Sequence, residues 1–383
     1  MTATTTHLWL REETKEHEHR VVLTPDACKK LLAERRTNAD GHEEAVFRIT
    51  VERSTQRIFD IHEYELAGCT IAAGGAWRDA PADAFILGLK ELPENDTTPL
   101  KHRHVYFGHA YKNQAGWKDL LARFKRGGGQ LLDLEFLNDE KGRRVAAFGY
   151  MAGFAGAAVG LDLWAHNQTN PGTPYPSIKP YENDEQLVSH LKKRIAQAVA
   201  GGANQPKAIV IGALGRCGTG ACDLLVRAGI ADANIIRWDM AETKNGGPFP
   251  QLLEYEILVN CIYLATPIPP FLTAETLLTP KSDKRHLSVV VDVSCDVTNP
   301  HNPLPFYSET TTFDAPVLAV AADRTSTPLD VVAIDHLPTL LPAESSTRFA
   351  QDLYATILQL AEVDTARVWT DVRKLFDTKS EGL

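Results

Sequence analysis

A short apolar run that opens into a glycine-rich segment constrains this chain most strongly. The segment is Ala208-Ile-Val-Ile-Gly-Ala-Leu-Gly-Arg-Cys-Gly-Thr-Gly220. Apolar residues bounded by glycine predict a buried strand, and the glycines that follow predict a turn leading into a helix. Such a turn brings backbone N–H groups and a helix N-terminus close to a bound phosphate. The pattern therefore predicts an α/β protein with a site for a phosphorylated ligand.

A carboxylate after the next predicted strand indicates that this ligand is a dinucleotide. The run Asn234-Ile-Ile-Arg-Trp-Asp239 predicts the strand, and Asp239 follows Gly215 at close to the ~20-residue interval of a Rossmann unit. An acid there accepts hydrogen bonds from ribose hydroxyls and repels a 2′-phosphate, so NAD is favoured over NADP. The glycine spacing departs from the usual G-x-G-x-x-G, because Leu214 stands where the second glycine is expected.

Length and composition exclude several classes of protein. The chain has 383 residues, of which 44% are hydrophobic and 23% charged, which is typical of a globular protein with room for two domains. A net charge of −9 without a long basic run argues against nucleic acid or an anionic membrane as the main partner. Its six cysteines lack C-x-x-C spacing, so neither a zinc site nor a disulfide framework is indicated.

Neither terminus carries a targeting signal. Residues 1–7 lack a basic region followed by an apolar core, and no apolar run approaches the ~20 residues that cross a bilayer. The C-terminal Glu381-Gly-Leu differs from the Ser-Lys-Leu peroxisomal signal. We therefore expect a cytoplasmic protein that acts on small molecules.

Strands and helices alternate along the chain, which predicts an α/β fold with parallel sheets. Roughly the first 140 residues form one such unit. Its predicted strands are His7–Leu10, Phe47–Glu52, Phe85–Leu89, His104–Phe107 and Leu131–Leu134. A second sheet, of about six strands, begins with the glycine strand. Its later strands are Ile257–Ile262, Val289–Val293 and Pro316–Ala321.

Four segments predict helices outside the glycine turn. Thr24–Glu34 begins with a helix-start signal, because Pro25 is tolerated in a first turn. The small-residue run Met151–Ala165 predicts a helix that crosses between the domains, and Glu185–Ala200 predicts a polar-faced helix. Apolar spacing over Phe349–Phe376 predicts one final helix that packs on the first domain.

Two strand ends of the first domain carry groups suited to proton transfer. Lys90 and Glu91 follow one apolar run, and His109 follows another, with Lys112 shortly after it. Ligands of open α/β sheets bind beyond the carboxyl ends of strands, and a cleft moves the pKa of a Lys or His toward neutrality. Each residue alone is expected to be a surface charge, but together Lys90 and His109 favour acid–base chemistry at carbon–nitrogen bonds.

Arginine and cysteine offer further candidates whose roles stay open. The guanidinium groups of Arg20 and Arg144 would bind carboxylates through two hydrogen bonds, or they are solvated surface charges. Cys217 in the glycine turn and Cys261 at a strand end should lie at the same sheet edge. A disulfide between them would obstruct the pyrophosphate site, and two buried thiols are the alternative.

Several longer segments occur together and in order. They are Lys15-x4-Arg20-x3-Thr-Pro25, Gly-Leu-Lys90-Glu91, His104-x4-His109-Ala-Tyr-Lys112, Gly-Arg-Arg144-Val-Ala-Ala-Phe-Gly149, Gly212-Ala-Leu-Gly-Arg-Cys-Gly218 and Asp335-His-Leu-Pro338. From about Leu8 to Phe349 the chain resembles fungal saccharopine dehydrogenases, the NAD-dependent, L-lysine-forming family within the alanine dehydrogenase and transhydrogenase superfamily.

The resemblance implies a monomer of two Rossmann-like domains that flank an interdomain cleft. Residues 1–148 and 340–383 would form the substrate domain, and residues 149–339 the NAD-binding domain. The implied reaction is the reversible conversion of saccharopine, NAD and water to lysine, 2-oxoglutarate and NADH, the last step of the α-aminoadipate route to lysine. No metal is required, because an iminium is already electrophilic.

The same resemblance assigns roles to single residues. Lys90 would take the proton of the secondary amine, His109 would activate water, and the carboxylates Glu91 and Glu135 would tune their proton affinities. Substrate-contacting positions would be Arg20, Lys112, Arg144, Phe148, Ser294, Cys295 and Asp296. NAD-contacting positions would be Arg143, Gly215, Arg216, Asp239, Thr243, Tyr263, Val293, Ile334, Asp335, His336 and Leu337.

Two other functions fit parts of the pattern. An alanine dehydrogenase or a transhydrogenase subunit shares the N-terminal segment and the two-domain plan, although Gly-Arg-Arg144-Val-Ala-Ala-Phe148 favours the saccharopine family. A non-catalytic module that senses NAD would bind the cofactor without turnover. Such a module would have no need of Lys90 or His109.

Overall fold

The chain forms two units, each with its own sheet. The structure, a computed structural model, describes residues 5–93, 95–112, 114–277, 285–295, 297–320 and 329–383. Unit 1 comprises Met1–Ala147 with Pro342–Leu383, and unit 2 comprises Phe148–Leu341. Among the described residues, no helix combines the length and the apolar character needed to cross a membrane.

Strands and helices alternate along much of the chain. The strands are β1 (Thr6–Leu10), β2 (Arg35–Thr37), β3 (Glu43–Ala45), β4 (Phe47–Glu52), β5 (Thr70–Ala72), β6 (Phe85–Leu87), β7 (Arg103–Tyr106), β8 (Gln130–Asp133), β9 (Ala208–Ile211), β10 (Ile235–Trp238), β11 (Ile257–Asn260), β12 (Val289–Asp292), β13 (Leu318–Val320) and β14 (Leu329–Val332). The helices are α1 (Pro25–Ala33), α2 (Ile61–Leu66), α3 (Trp117–Gly127), α4 (Gly149–Thr169), α5 (Asp184–Ala200), α6 (Arg216–Arg227), α7 (Met240–Thr243), α8 (Ala274–Leu277), α9 (Pro342–Leu358) and α10 (Arg367–Lys379).

The main sheet of unit 1 has the order β5-β4-β1-β6-β7-β8, with every neighbouring pair parallel. The chain runs outward from β1 through β4 to β5, and then returns to place β6 on the other side of β1. Leu10 therefore pairs with Leu87, and the loops after β1 and β6 diverge from neighbouring points. Ligands of open α/β sheets bind at such a reversal of strand order.

The sheet of unit 2 has the order β10-β9-β11-β12-β14-β13, and its reversal lies between β9 and β11. The predicted α/β fold with parallel sheets is confirmed, with one exception at an edge. The strand predicted over Pro316–Ala321 covers only Leu318–Val320, and it runs antiparallel to β14. Antiparallel edge strands are common on otherwise parallel sheets. Ala321 lies outside the described residues.

The central strands of unit 2 are buried along their whole length. The strand Ala208–Ile211 is completely buried, as are Ile257–Asn260 and Val289–Asp292. Continuous apolar runs of this kind are typical of parallel strands that are covered on both faces. The buried sheet fixes the position from which the glycine turn departs.

Helix α4 is longer than predicted and belongs wholly to unit 2, so the prediction that it crosses between domains is wrong. Its small residues serve a close approach to α6 instead. A Cβ added at Gly153 would overlap the carbonyl oxygen of Cys217, and one added at Gly220 would overlap that of Tyr150. This contact holds the first turn of α6 in place behind the glycine turn.

The predicted final helix is also wrong in one respect, because it is two helices. Helix α9 ends at Leu358, a 3₁₀ turn spans Gln359–Glu362, and α10 begins at Arg367. The apolar spacing continues through this turn, which is why the pattern suggested a single helix. The change of direction lets α10 pack Phe376 against Phe124, with ring centroids 5.9 Å apart.

We predict that Gly153→Ala destabilises unit 2 by about 1 to 3 kcal/mol, because the added methyl group overlaps backbone that cannot move freely. The control is Gly149→Ala in the same helix, where the nearest neighbouring atom to an added Cβ lies 3.6 Å away. Urea denaturation followed by circular dichroism measures the difference. Equal denaturation midpoints for the two variants would contradict the close-packing account.

Candidate functional site

The residues that follow β6, β7 and β8 form a cluster of charges that we call the unit 1 edge. Its members are Lys90, Glu91, His109, Lys112 and Glu135, together with Lys15 and Arg144. Parallel strands place their carboxyl ends at one edge of the sheet, so loops far apart in sequence meet there. Lysine, histidine and glutamate at this edge are groups that transfer protons.

His109 and Glu91 form the ion pair at the centre of this edge. Nδ1 of His109 lies 2.9 Å from Oε1 of Glu91, and Lys15 approaches the other oxygen at 3.4 Å. The hydrogen bond to Glu91 raises the pKa of His109 above its ordinary value, although burial acts to lower it. Burial acts to raise the pKa of Glu91, but the hydrogen bond from His109 holds that pKa far below its usual range. The pairing through Nδ1 leaves Nε2 as the nitrogen that can exchange a proton.

The backbone of His109 is strained. Its φ is +50°, in the left-handed region that non-glycine residues rarely adopt. Gly108 precedes it, and a Cβ at that position would lie 2.6 Å from Cδ2 of Leu131. Strained residues persist where the surroundings determine their conformation, and they are concentrated at functional sites.

Asp133, which we did not single out from the sequence, holds this strained turn. Its completely buried carboxylate accepts N–H groups from Gly108 at 3.2 Å and from Glu135 at 2.9 Å. Burial raises its pKa to about 6. Asp133 therefore connects the loop that carries His109 to the turn that carries Glu135.

Glu135 draws two predicted substrate-binding cations together. Its Oε1 lies 2.8 Å from Nζ of Lys112 and 3.6 Å from Nη1 of Arg144. Burial acts to raise the pKa of Glu135, but the hydrogen bond from Lys112 lowers it overall. The Arg144 guanidinium also lies over the ring of Phe107, 5.5 Å from its centroid. The orientation of the Arg144 guanidinium is therefore set by a carboxylate and by an aromatic ring.

Arg20 is buried and already engaged by Glu18, a second residue that we did not single out from the sequence. Nε and Nη2 of Arg20 donate to the two Glu18 carboxylate oxygens at 2.8 and 2.6 Å. Burial opposes the ionisation of Glu18, but the Arg20 guanidinium and, more weakly, the Lys90 ammonium lower its pKa. A small cavity beside the pair is also lined by Arg11, Glu13 and Arg57.

Two other predicted site residues lie on either side of Arg144 in the sequence. Arg143 is largely exposed and pairs with Asp139 at 2.8 Å within the same turn. Phe148 is half-buried and precedes the first residue of α4.

The glycine turn of unit 2 has the geometry of a phosphate site. Gly212 has a φ of +84°, and its N–H donates to the carbonyl of Trp238 at 2.8 Å. The N–H of Leu214 donates to Oδ2 of Asp239 at 2.9 Å. Gly218 packs on the turn, because a Cβ there would overlap the carbonyl oxygen of Gly212. The turn is thus tied to the end of β10 on one side and to α6 on the other.

These residues fit NAD. Helix α6 begins after the exposed Gly215, which offers no side chain to cap the first N–H groups of the helix. Such a helix start suits an anionic pyrophosphate. Asp239 accepts from Leu214 and Met240, and a carboxylate has further lone pairs for ribose hydroxyls.

Cys217 and Cys261 lie side by side but are free thiols in this structure, so the disulfide alternative is not what we observe. The hydrogen bond with Cys217 raises the pKa of Cys261 well above its ordinary value, and burial raises this pKa further. A thiol reacts through its thiolate, so this environment disfavours reaction at Cys261.

The other predicted cofactor positions differ in exposure. Thr243 is buried and donates to the carbonyl of Asp239 at 2.8 Å, whereas Tyr263 is exposed. His336 is half-buried with its ring edge against Phe313, and the centroids are 5.1 Å apart. Ile334 and Leu337 are buried, Val293 is half-buried, and Arg216 and Asp335 are exposed.

Asp292 organises the predicted substrate segment of unit 2. Its buried carboxylate accepts the Ser294 hydroxyl at 2.7 Å, the Asn260 amide at 3.0 Å and the Tyr307 hydroxyl at 2.5 Å. The Cys295 thiol donates to the Asp292 carbonyl at 2.9 Å, and Cys295 has a φ of +49°. Asp296, the third predicted residue of this segment, lies outside the described residues.

We predict that Glu91→Gln lowers the pKa of His109, because a neutral amide stabilises the imidazolium less than a carboxylate does. The contribution of this pair to folding is fully present below the ordinary pKa of 6.5 and disappears as pH rises through the raised folded-state value. Titration of isotope-labelled histidine by NMR measures the change. The exposed Glu140→Gln is the control, and an unshifted His109 titration in Glu91→Gln would contradict the pairing.

Comparison with known proteins shows which family model and which known fold this chain matches. Residues 9–155 match the family model of the alanine dehydrogenase/PNT N-terminal domain. An L-alanine dehydrogenase structure matches with a TM-score of 0.63 and 13% identity over 97% of this chain and 99% of that one, which shows a shared fold.

Curated relatives give a higher identity over almost the whole length. The saccharopine dehydrogenase (NAD(+), L-lysine-forming) of Schizosaccharomyces pombe is 52% identical over 98% of this chain and 99% of its own length. The enzyme of the same name from Yarrowia lipolytica is 51% identical over 97% of this chain and 96% of its own length. The chain therefore belongs to the saccharopine dehydrogenase (NAD(+), L-lysine-forming) family.

Proposed function

We propose that this protein oxidises saccharopine with NAD and water to lysine, 2-oxoglutarate and NADH, reversibly and as the last step of the α-aminoadipate route to lysine. The identity of 52% over almost the whole chain supports this reaction and the use of NAD. The observation that carries the chemical proposal is the His109–Glu91 pair, 2.9 Å apart, whose histidine lies within the electrostatic influence of Lys90.

Lys90 is proposed as the base for the first step. Saccharopine is a secondary amine, and its oxidation removes a proton from nitrogen and a hydride from the adjacent carbon, which leaves a C=N double bond. NAD supplies the hydride acceptor when bound. Lys90 takes the proton, and its half-buried position after β6 limits the water that would compete for that proton.

His109 is proposed to serve the hydrolysis. It removes one proton from water as the oxygen adds to the imine carbon and passes that proton to the nitrogen. It then takes the proton of the new hydroxyl group and delivers it to the nitrogen as the carbon–nitrogen bond breaks, which leaves the carbonyl. The products are then a primary amine and a ketone, which are lysine and 2-oxoglutarate. Glu91 holds the ring through Nδ1, so Nε2 is available for both transfers.

Cations at the unit 1 edge are proposed to bind the three substrate carboxylates. Lys112 and Arg144 share Glu135, and a substrate carboxylate would offer them a stronger partner than this single oxygen. Arg20 requires rearrangement of its buried pair with Glu18 to take part directly. Phe148, Ser294, Cys295 and Asp296 are the remaining proposed substrate contacts.

Unit 1 is proposed as the substrate domain and unit 2 as the NAD-binding domain. The glycine turn supports this division, since α6 starts with uncapped N–H groups beside Asp239. Proposed cofactor contacts are Arg143, Gly215, Arg216, Asp239, Thr243, Tyr263, Val293, Ile334, Asp335, His336 and Leu337. A monomeric state and a cytoplasmic location stay predictions from the sequence.

We predict NADH oxidation when lysine and 2-oxoglutarate are supplied together, measured as loss of absorbance at the nicotinamide band. Lys90→Met and His109→Gln should each slow turnover by about 100- to 10,000-fold, the usual contribution of a general acid or base. Both variants should still bind NADH, because neither residue is among the proposed cofactor contacts. Fluorescence titration with NADH checks that binding.

Each alternative function has its own outcome in this experiment. Activity with pyruvate and ammonia alone would indicate an alanine dehydrogenase and would contradict the proposal. NADH binding without turnover of either substrate set would indicate a sensing module. Wild-type rates in both variants would remove Lys90 and His109 from the mechanism while leaving the reaction itself in place.

A further inference from the structure

Glu13 makes an unusual contact with the loop that carries Lys90. The residue follows β1, and its carboxylate accepts the backbone N–H of Leu89 at 2.6 Å and that of Lys90 at 2.9 Å. This side chain is 8% exposed. Two successive backbone amides that leave the sheet are therefore bound by one buried carboxylate. Charge-assisted hydrogen bonds of this kind are stronger than those between neutral groups.

Arg11 completes the contact from the other side of the peptide. Its side chain is 1% exposed and lies 3.3 Å from Glu13, and its Nη2 donates to the carbonyl oxygen of Lys90. Both backbone polar groups of Lys90 are thus bound by the same ion pair.

Gly88 makes room for this arrangement. A Cβ at Gly88 would overlap the Arg11 guanidinium, so the guanidinium lies directly against the exit of β6. The same guanidinium lies 5.6 Å from the ring centroid of Tyr106 on β7. Arg11, which follows β1, therefore contacts both the exit of β6 and β7 and has little freedom to move.

A buried ion pair is a costly way to stabilise a loop. Removing two charges from water often costs as much free energy as their attraction returns, and apolar residues would stabilise the same site at least as well. What the Arg11–Glu13 pair provides is a fixed path for the backbone. The residue so fixed carries the ammonium whose charge acts on both Glu18 and His109.

We propose that Glu13, braced by Arg11, is the positioning residue for Lys90. It fixes the Lys90 backbone so that the side-chain nitrogen stays in reach of the substrate nitrogen. This inference rests on the proposed role of Lys90 as the base. A displacement of about 1 Å at a reacting group can cost about 100-fold in rate, so loss of this contact should act on kcat.

The variant Glu13→Gln keeps the shape of the side chain and removes its charge. We expect kcat for saccharopine oxidation to fall about 10- to 100-fold, with KM for NAD unchanged. Glu13→Asp keeps the charge but cannot reach both amides, and it should also lose turnover while melting close to wild type. The matched control is Glu12→Gln on the same loop, whose carboxylate lies against Gly74 and whose loss should leave kcat unchanged.

Two readouts separate positioning from a general loss of structure. If Glu13 acts through Lys90, Glu13→Gln should have no further effect on the residual turnover of Lys90→Met. Hydrogen–deuterium exchange should also accelerate at the amides of Leu89 and Lys90 in Glu13→Gln, since their acceptor is weakened. The proposal would be overturned if Glu13→Gln slowed turnover by the same factor in the wild type and in Lys90→Met. Unchanged hydrogen–deuterium exchange at these amides would also overturn it.

Failure of the proposed function would be seen separately. In that case the wild-type chain would not turn saccharopine over, while amide exchange would still respond to Glu13→Gln. A wild-type chain that is active, together with a fully active Glu13→Gln and Glu13→Asp, would instead remove Glu13 from the account and leave the reaction intact.

Discussion

Carboxylates that accept backbone N–H groups at the carboxyl ends of strands are the interaction on which both candidate sites depend. Where a strand leaves its sheet, its amides lose their ladder partners and must find others. In unit 1, Glu13 accepts the amides of Leu89 and Lys90, and Asp133 accepts the amide of Gly108, just before His109, and that of Glu135. In unit 2, Asp239 takes the Leu214 amide in the glycine turn. The loops of the candidate sites are therefore held by side chains at strand ends.

The charge states of the groups at the unit 1 edge follow from the positions in which these loops are held. Glu91 and Glu135 are each held ionised by cations, and the same contacts favour the charged form of His109. A histidine whose pKa is raised can both take a proton from water and return one to a leaving nitrogen near neutral pH. Pairs of titratable groups whose environments move their pKa values apart are common where acid–base chemistry occurs. These ion pairs support the proposed proton transfer at this edge.

The sequence predicted those features of the structure that depend on a local pattern of residues. Apolar runs located most of the strands, but β2, β3, β5 and β14 were not predicted. The spacing from the glycine turn to Asp239 predicted a dinucleotide site. Continuous apolar spacing was misleading at the last helix, where the chain turns at Gln359–Glu362. Glu13 and Lys90 are separated by 77 positions, and no periodicity links them, so their contact is visible only in the folded sheet. The identity of the substrate came from resemblance, because strand ends with Lys and His occur in many α/β enzymes.

The central claim is that Lys90 and His109 act as two separate proton acceptors, and the pH dependence of kcat/KM for saccharopine oxidation tests it most directly. Both groups must be unprotonated to accept protons, so kcat/KM should fall toward acid with a limiting slope of about two. The decrease in kcat/KM that is due to protonation of His109 should begin at a pH above the ordinary histidine pKa of 6.5, because Glu91 raises the pKa of His109. His109→Gln and Lys90→Met should each reduce the slope to about one. Two ionisations that persist in both variants would contradict the account.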